Sequence, residues 1–148
     1  SNNQANTSKI SGISSEKIYD SLLQKIENLI LCENVNEFRV GNYGEFDSLC
    51  ARTIRRLKEK FPYISLILVI PYLTYEINNN KEYYEERFDE IIIAPIPEST
   101  PKKLRIIKCN EYMVESSDFL IYYVINHTTG ADRALEYALR KGICLISV

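Results

Sequence analysis

Two short loops combine glycine with polar side chains, and each precedes an amphipathic segment. The first loop is Val40-Gly41-Asn42-Tyr43-Gly44-Glu45-Phe46-Asp47, and the second is Asn126-His127-Thr128-Thr129-Gly130-Ala131. Glycine lets the backbone approach a phosphate closely, and the first turn of a helix offers free N–H groups and the positive end of the helix dipole. Each loop is therefore a candidate site for a phosphate-bearing ligand, although an ordinary turn before a helix explains either loop about equally well.

The two loops differ in charge. Glu45 and Asp47 would repel a phosphate placed on the first loop, so a carboxylate there suits a ribose hydroxyl better. The second loop supplies two threonine hydroxyls before Gly130 and Ala131. We therefore expect the phosphates of a bound nucleotide at Gly130 and Ala131, with the ribose and base toward residues 41–47.

Two carboxylates are weak candidates for acid–base chemistry. Glu136 follows the second loop on the same segment and could polarise a water at an anomeric carbon, which requires a raised pKa. Alternatively, Glu136 forms an ion pair with Arg133 on the protein surface. Glu98 follows Pro95-Ile96-Pro97 and could reach a sugar or base from a loop, or be an ordinary surface carboxylate.

Composition restricts the classes of protein that the chain can belong to. It has 148 residues, 45% hydrophobic and 26% charged, which is the balance of one ordinary globular domain. The net charge of −2 lacks the basic excess of a duplex nucleic-acid binder. The longest apolar run, residues 64–71, is far shorter than a membrane helix. We expect a cytoplasmic protein that binds neither duplex nucleic acid nor membrane.

The metal-ligating and aromatic residues give weaker indications. The four cysteines form no CxxC pair and His127 is the single histidine, so we expect no metal site. Three of the cysteines lie in apolar helical or strand patterns, where buried thiols act as small hydrophobes. Four of the eleven tyrosines could stack a base, or else cover a sheet edge or a dimer interface: Tyr72, Tyr75, Tyr83 and Tyr84.

Hydrophobic periodicity indicates the elements that position these residues. The pattern predicts helices over residues 15–33, 45–60, 102–116 and 131–141, and strands over residues 37–40, 63–72, 90–96, 119–125 and 143–148. Residues 74–87 are predicted to be a surface loop or short helix, and residues 1–14 a polar tail or the remnant of an expression tag. Alternating strands and helices are typical of an α/β fold whose mostly parallel sheet has about five strands.

Three motifs in this order resemble a known family. Residues 40–47 resemble the "VGNxGxFD" element of the YspA/YpsA-related branch of the SLOG superfamily. Cys109-Asn110-Glu111-Tyr112-Met113-Val114 through Asp118 is similar to the "RNxWMVxxSD" stretch of that branch. Thr129-Gly130-Ala131 before Ala134-Leu135-Glu136-Tyr137-Ala138 resembles its "GGA…A" loop and helix. The resemblance covers residues 37–148.

The resemblance implies a Rossmann-like three-layer sandwich over residues 15–148 that holds a nucleotide or nucleotide-derived ligand such as ADP-ribose, with no required cofactor. It places Asn110 near the ligand. Together, the loops and the resemblance give these ligand-binding residues: Gly41, Asn42, Gly44, Asp47, Asn110, Thr128, Thr129, Gly130, Ala131 and Arg133.

The chain also departs from the family pattern. The Gly-His-Arg-like turn after the first strand of the branch is reduced to Gly12, and the PGGxGTxxE loop of the Lonely Guy phosphoribohydrolases has no double glycine here. A ligand-binding or sensing domain is therefore the first hypothesis. A hydrolase acting at the N-glycosidic bond is its alternative, and a protein-interaction module is a weaker one. Whether the chain forms a homo-oligomer is open.

Overall fold

The computed structural model describes residues 12–123 and 129–148, with the side chains of residues 12–15 and 129–132 excepted. Within these ranges, helices and parallel strands alternate along the chain. Their order is α1 (Gly12–Cys32), β1 (Glu37–Val40), α2 (Glu45–Lys60), β2 (Ser65–Ile70), α3 (Tyr75–Asn79), α4 (Lys81–Arg87), β3 (Glu90–Ile93), α5 (Lys102–Glu115), β4 (Phe119–Tyr122), α6 (Thr129–Arg140) and β5 (Cys144–Ser147).

The five strands are all parallel but form two sheets. In the first sheet β2 lies between β1 and β3, with Phe38 opposite Leu66 and Leu68 opposite Ile91. In the second sheet β4 pairs with β5, with Leu120 opposite Leu145. The predicted α/β fold with parallel strands is confirmed. In the described residues, however, no backbone ladder joins the sheets into a single one of five strands.

Side chains connect the two sheets. Arg39 on β1 donates from Nη1 to the Ser116 hydroxyl just before β4, at 2.9 Å. Ile121 on β4 packs into the same hydrophobic cluster as Phe38 and Val40 on β1. Since no backbone ladder joins the two sheets in the described residues, side-chain contacts associate them.

The core forms where the sequence has its most regular apolar patterns. Four side chains on one face of α1 at four-residue spacing are buried as expected: Ile18, Leu22, Ile26 and Ile30. The continuous apolar run of β2 is buried on both faces because helices cover both sides of a parallel sheet. Met113 on α5 is also in the core, at 1% exposure.

Several predicted boundaries need correction. Helix α1 begins at Gly12 rather than Ser15, because nothing in residues 12–14 prevents helical backbone angles. Strand β3 ends at Ile93 rather than Ile96, since Pro95 has no N–H to continue the ladder. The polar segment 74–87 forms the two short helices α3 and α4. The predicted end of the fourth strand, at Ile125, lies outside the described residues.

The cysteine prediction is also partly wrong. Cys50 and Cys109 are buried, but Cys32 and Cys144 are exposed because they stand at the last residue of α1 and the first residue of β5. No disulfide joins the four cysteines, all of which belong to the described residues. Within the described residues, no helix has both the length and the apolar character needed to cross a bilayer.

Gly142 ends α6 in a left-handed conformation, with φ of +73°. Its N–H donates to the Leu139 carbonyl at 3.1 Å, and the Ile143 N–H donates to the Ala138 carbonyl at 3.0 Å, which is the Schellman pattern. A Cβ added at Gly142 would meet nothing within 4 Å, so the cost of a side chain there is conformational.

We expect Gly142→Ala to lower the free energy of unfolding by about 1 kcal/mol, because alanine disfavours positive φ. Gly142→Asn is the matched variant and should lose less, since asparagine tolerates this conformation, as Asn34 does at φ of 55°. Urea denaturation measures both. Equal losses in the two variants would contradict the conformational explanation.

Candidate functional site

The loop that joins β1 to α2 is held in place by one buried carboxylate. Asp47, in the first turn of α2, is 1% exposed. Its Oδ1 accepts a hydrogen bond from the Gly41 N–H at 3.3 Å, and its Oδ2 accepts one from the Tyr43 N–H at 3.1 Å. Both oxygens thus bind the loop backbone, so Asp47 is placed to shape the loop rather than to reach freely toward a ribose.

Burial strongly affects the chemistry of this loop. Desolvation raises the pKa of Asp47 to about 7, although the hydrogen bonds from Tyr43 and Gly41 act in the opposite direction. Desolvation is also the main reason that the pKa of Tyr43 rises to about 12, with smaller contributions from Tyr72, Cys109 and Asp47. The Asp47 carboxyl therefore changes protonation near neutral pH while it holds the loop.

The loop forms one wall of a cavity of about 870 Å³. Helix α2 continues this wall, and residues of α3 and α4 with Phe88 form the opposite wall. The cavity lies within the range of 300–1,000 Å³ that is typical of small-molecule sites. From the loop it is lined by Gly41, Asn42, Gly44, Glu45 and Asp47.

Aromatic rings build the wall opposite the loop. Tyr84 is buried, and its hydroxyl donates to Oε1 of Glu76 at 3.0 Å. Its ring lies edge-on to Tyr83 at 5.2 Å and stacks on Phe88 at 6.3 Å between centroids. Burial is the main cause of the raised pKa of Tyr84, and a hydrogen bond with the Asn42 side chain partly offsets it. Asn42 therefore connects the loop to the aromatic wall.

Of the four tyrosines considered for base stacking, two line the cavity. Tyr83 is half exposed on α4 and Tyr84 is buried beside it. Tyr75 is 85% exposed at the start of α3. Tyr72 lies beneath Lys102 and Arg105, with cation-to-centroid distances of 5.9 Å and 5.8 Å.

The second predicted loop is described only in part. Thr128 lies outside the described residues, and residues 129–131 form the first turn of α6. Tyr123, at the end of β4, stacks on Phe46 of α2 with ring centroids 6.1 Å apart. Tyr123, the last described residue before this loop, therefore lies beside the first turn of α2.

The other predicted site residues whose side chains the structure describes do not line this cavity. Arg133 and Glu136 are exposed on α6, and Glu98 is exposed between β3 and α5, where its backbone carbonyl accepts from Arg105 Nη2 at 2.6 Å. Asn110 is half buried on α5. The structure thus brings together Gly41, Asn42, Gly44 and Asp47. It leaves the two acid–base candidates on the surface, outside the lining of the cavity.

Sequence reasoning missed the arginines of the cavity. Arg52 and Arg55 follow the loop by one to two turns of α2, and Arg87 ends α4. The three-residue spacing of Arg52 and Arg55 places them on one side of a helix and was a usable signal. Arg87 had no such signal, because it belonged to a segment that was interpreted as a surface loop or short helix. Among the described residues, no three His, Cys, Asp or Glu side chains converge as metal ligands would.

Comparison with known proteins gives one informative likeness. No protein-family model matches the chain. The chain is similar to the uncharacterized SPbeta prophage-derived protein YoqJ of Bacillus subtilis (strain 168), with 28% identity over 139 residues. The alignment spans 82% of this chain and 80% of that protein, so the likeness extends well beyond a single motif.

Proposed function

We propose that this chain is a SLOG-type domain that binds a nucleotide or nucleotide-derived ligand, such as ADP-ribose, in the cavity beside residues 41–47. The observation that carries the proposal is the Gly41–Asp47 loop, held by a buried carboxylate at the wall of a cavity of suitable size. Two independent hydrogen bonds fix the loop backbone before any ligand arrives. Such preorganisation lowers the entropic cost of binding.

Binding without turnover, as in a ligand sensor, is the form of the proposal that the described side chains favour. N-glycosidic hydrolysis needs an activating group close to the ligand. The two carboxylates considered for that role, Glu98 and Glu136, are exposed and do not line the cavity. Asp47, which is buried at the cavity wall, has both oxygens bound to loop N–H groups.

A thermal-shift panel of AMP, ADP, ADP-ribose, NAD, GMP and cyclic nucleotides tests the proposal. A ligand at a hundred times its dissociation constant should stabilise the folded chain by about 2.7 kcal/mol and raise the melting temperature. Each sample is then examined for released base. A shift without product supports a sensor, a shift with free base indicates the hydrolase, and no shift with any compound contradicts nucleotide binding.

The matched variants for this panel are Asn42→Ala and Asn79→Ala. Asn42 lines the cavity and is hydrogen-bonded to Tyr84, whereas Asn79 is exposed at the end of α3 and does not line the cavity. We expect Asn42→Ala to weaken binding about tenfold, the effect of one lost hydrogen bond of about 1.4 kcal/mol. Asn79→Ala should bind as the unaltered chain does. Equal affinities of the two variants for the ligand would show that the ligand does not bind in this cavity.

A further inference from the structure

Three arginines of the cavity each lie over an aromatic ring. The guanidinium carbon of Arg87 is 3.6 Å from the centroid of Tyr83. The corresponding distance is 5.5 Å for Arg52 over Tyr19 and 5.6 Å for Arg55 over Phe88. A ring beneath a guanidinium restrains its orientation while leaving N–H donors at its edge, which is the geometry suited to an oxyanion.

Backbone hydrogen bonds restrain two of these side chains further. Arg55 Nη1 donates to the Arg87 carbonyl at 3.3 Å, and Arg87 Nη1 donates to the Tyr83 carbonyl at 3.0 Å. Each of these bonds uses one of the five N–H donors of a guanidinium, so other donors stay available. The arginines are therefore positioned in advance, and a ligand would not have to order three flexible side chains.

The cluster concentrates positive charge. Desolvation is the main cause of the lowered pKa of Arg55, and the charges of Arg87 and Arg52 lower it further. Among the side chains that the structure describes, no ion pair joins a carboxylate to Arg52 or Arg55. Arg87 has only its neighbour Glu86, at 3.9 Å.

Three other cations in this chain have closer partners. Arg39 pairs with Glu37 at 3.0 Å, Lys60 pairs with Glu27 at 2.9 Å, and Lys58 pairs with Asp89. Of the three carboxylates that line the cavity, Glu45, Asp47 and Glu76, two have hydrogen-bond partners away from the arginines, since Glu76 accepts from Tyr84 and Asp47 accepts from the loop. In a chain of net charge −2, three arginines that line one cavity, and whose closest ion pair among the described side chains is 3.9 Å, are suited to an anion from outside.

We infer that Arg52, Arg55 and Arg87 bind an anionic phosphate group of the ligand, on the α2–α4 side of the cavity. The inference rests on the proposed function, which supplies the nucleotide character of the ligand. It adds that the ligand carries a phosphate or diphosphate and is not a nucleoside. It also locates a phosphate site apart from the first turn of α6, where the sequence had suggested one.

Isothermal titration calorimetry tests the inference with three probes: inorganic pyrophosphate, ADP-ribose and adenosine. Arg52→Gln and Arg87→Gln are the test variants, and Arg56→Gln is the matched control because Arg56 is an exposed neighbour on α2 that does not line the cavity. Arg52 is itself exposed, so its replacement leaves the core intact.

We expect the unaltered chain to bind pyrophosphate and ADP-ribose but not adenosine, at low salt. Each test variant should weaken anion binding about tenfold or more, because a hydrogen bond to a charged group is involved. In a plot of the logarithm of the affinity against the logarithm of the salt concentration, each test variant should also show a shallower slope than the unaltered chain. Arg56→Gln should change neither quantity, and Arg52→Lys should recover part of the affinity through charge alone.

The outcomes separate this inference from the proposed function. If ADP-ribose binds equally to the unaltered chain and to all the arginine variants, the arginine site is wrong while nucleotide binding stands. If pyrophosphate binds in an Arg52-dependent way and no nucleotide of the panel binds, the anion site stands and the nucleotide proposal is wrong. If adenosine binds as tightly as ADP-ribose, or if no probe binds, the inference is overturned.

Discussion

Asp47→Asn is expected to remove a pH dependence from the stability of this protein. The pKa of Asp47 is raised from 3.8 to about 7 by its burial. Between these values the unfolded chain releases the proton while the folded chain keeps it, so the free energy of unfolding falls as pH rises. The contribution is fully present below pH 3.8 and is lost above about pH 7. At about 1.4 kcal/mol per pKa unit, the loss amounts to at most about 5 kcal/mol.

Asparagine imitates the protonated carboxyl because it is neutral and keeps one oxygen as an acceptor. The difference in free energy of unfolding between Asp47→Asn and the unaltered chain should therefore change between pH 4 and pH 8. The variant should gain stability relative to the unaltered chain as the pH rises. Urea denaturation at several pH values measures this difference directly. Asp20→Asn, at an exposed position on α1, is the control. A constant difference for Asp47→Asn would show that the carboxyl titrates normally.

The same carboxyl links stability to the ligand site. Asp47→Ala removes both acceptors, so the Gly41 and Tyr43 N–H groups lose their partners. Replacing the buried carboxyl by alanine should cost about 1–3 kcal/mol and leave the loop less ordered. We expect ligand affinity in this variant to fall further than stability alone would require, since an unrestrained loop must be ordered at each binding event.

Ile121→Ala is expected to lower the free energy of unfolding by about 2–5 kcal/mol. Ile121 on β4 is 1% exposed and belongs to the hydrophobic cluster that contains Phe38, Val40 and Phe46. The substitution leaves a cavity at the junction of the two sheets. Because β1 and β4 are joined through side chains and not through a backbone ladder, this packing carries much of their association.

Chemical denaturation followed by both tyrosine fluorescence and far-ultraviolet circular dichroism tests this prediction. Leu139→Ala is the control, because Leu139 is 64% exposed on α6 and its loss should change stability by no more than about 0.5 kcal/mol. If Ile121→Ala cost less than 1 kcal/mol, the two sheets would not depend on a shared core.

The sequence was most informative where periodicity and burial coincide. The four-residue spacing on α1 and the unbroken apolar run of β2 predicted buried elements, because a helix must bury one face and a central parallel strand must bury two. The glycine loop after β1 was recognisable as a strand-to-helix turn at the sheet edge where ligands bind in such folds. Four residues of that loop line one cavity: Gly41, Asn42, Gly44 and Asp47.

Local sequence could not determine how distant segments combine. In the sequence, residues 74–87 are a polar stretch with no visible packing partner. In the structure they pack against α2, where they form the aromatic wall of the cavity and bring Arg87 to Arg55. Sequence reasoning also treated Asp47 as a ligand-facing carboxylate, although the tertiary structure buries it and turns both oxygens to the loop backbone.

The sequence by itself therefore determined the alternation of helices and parallel strands, the core faces and the position of the first loop, since each depends on residues close together in the chain. Only the tertiary structure decided the division into two sheets, the protonation behaviour of Asp47 and the meeting of three arginines. These depend on the distance and solvent exposure of groups far apart in sequence. Burial and electrostatic interaction vary with that three-dimensional arrangement and leave no periodic signal along the chain.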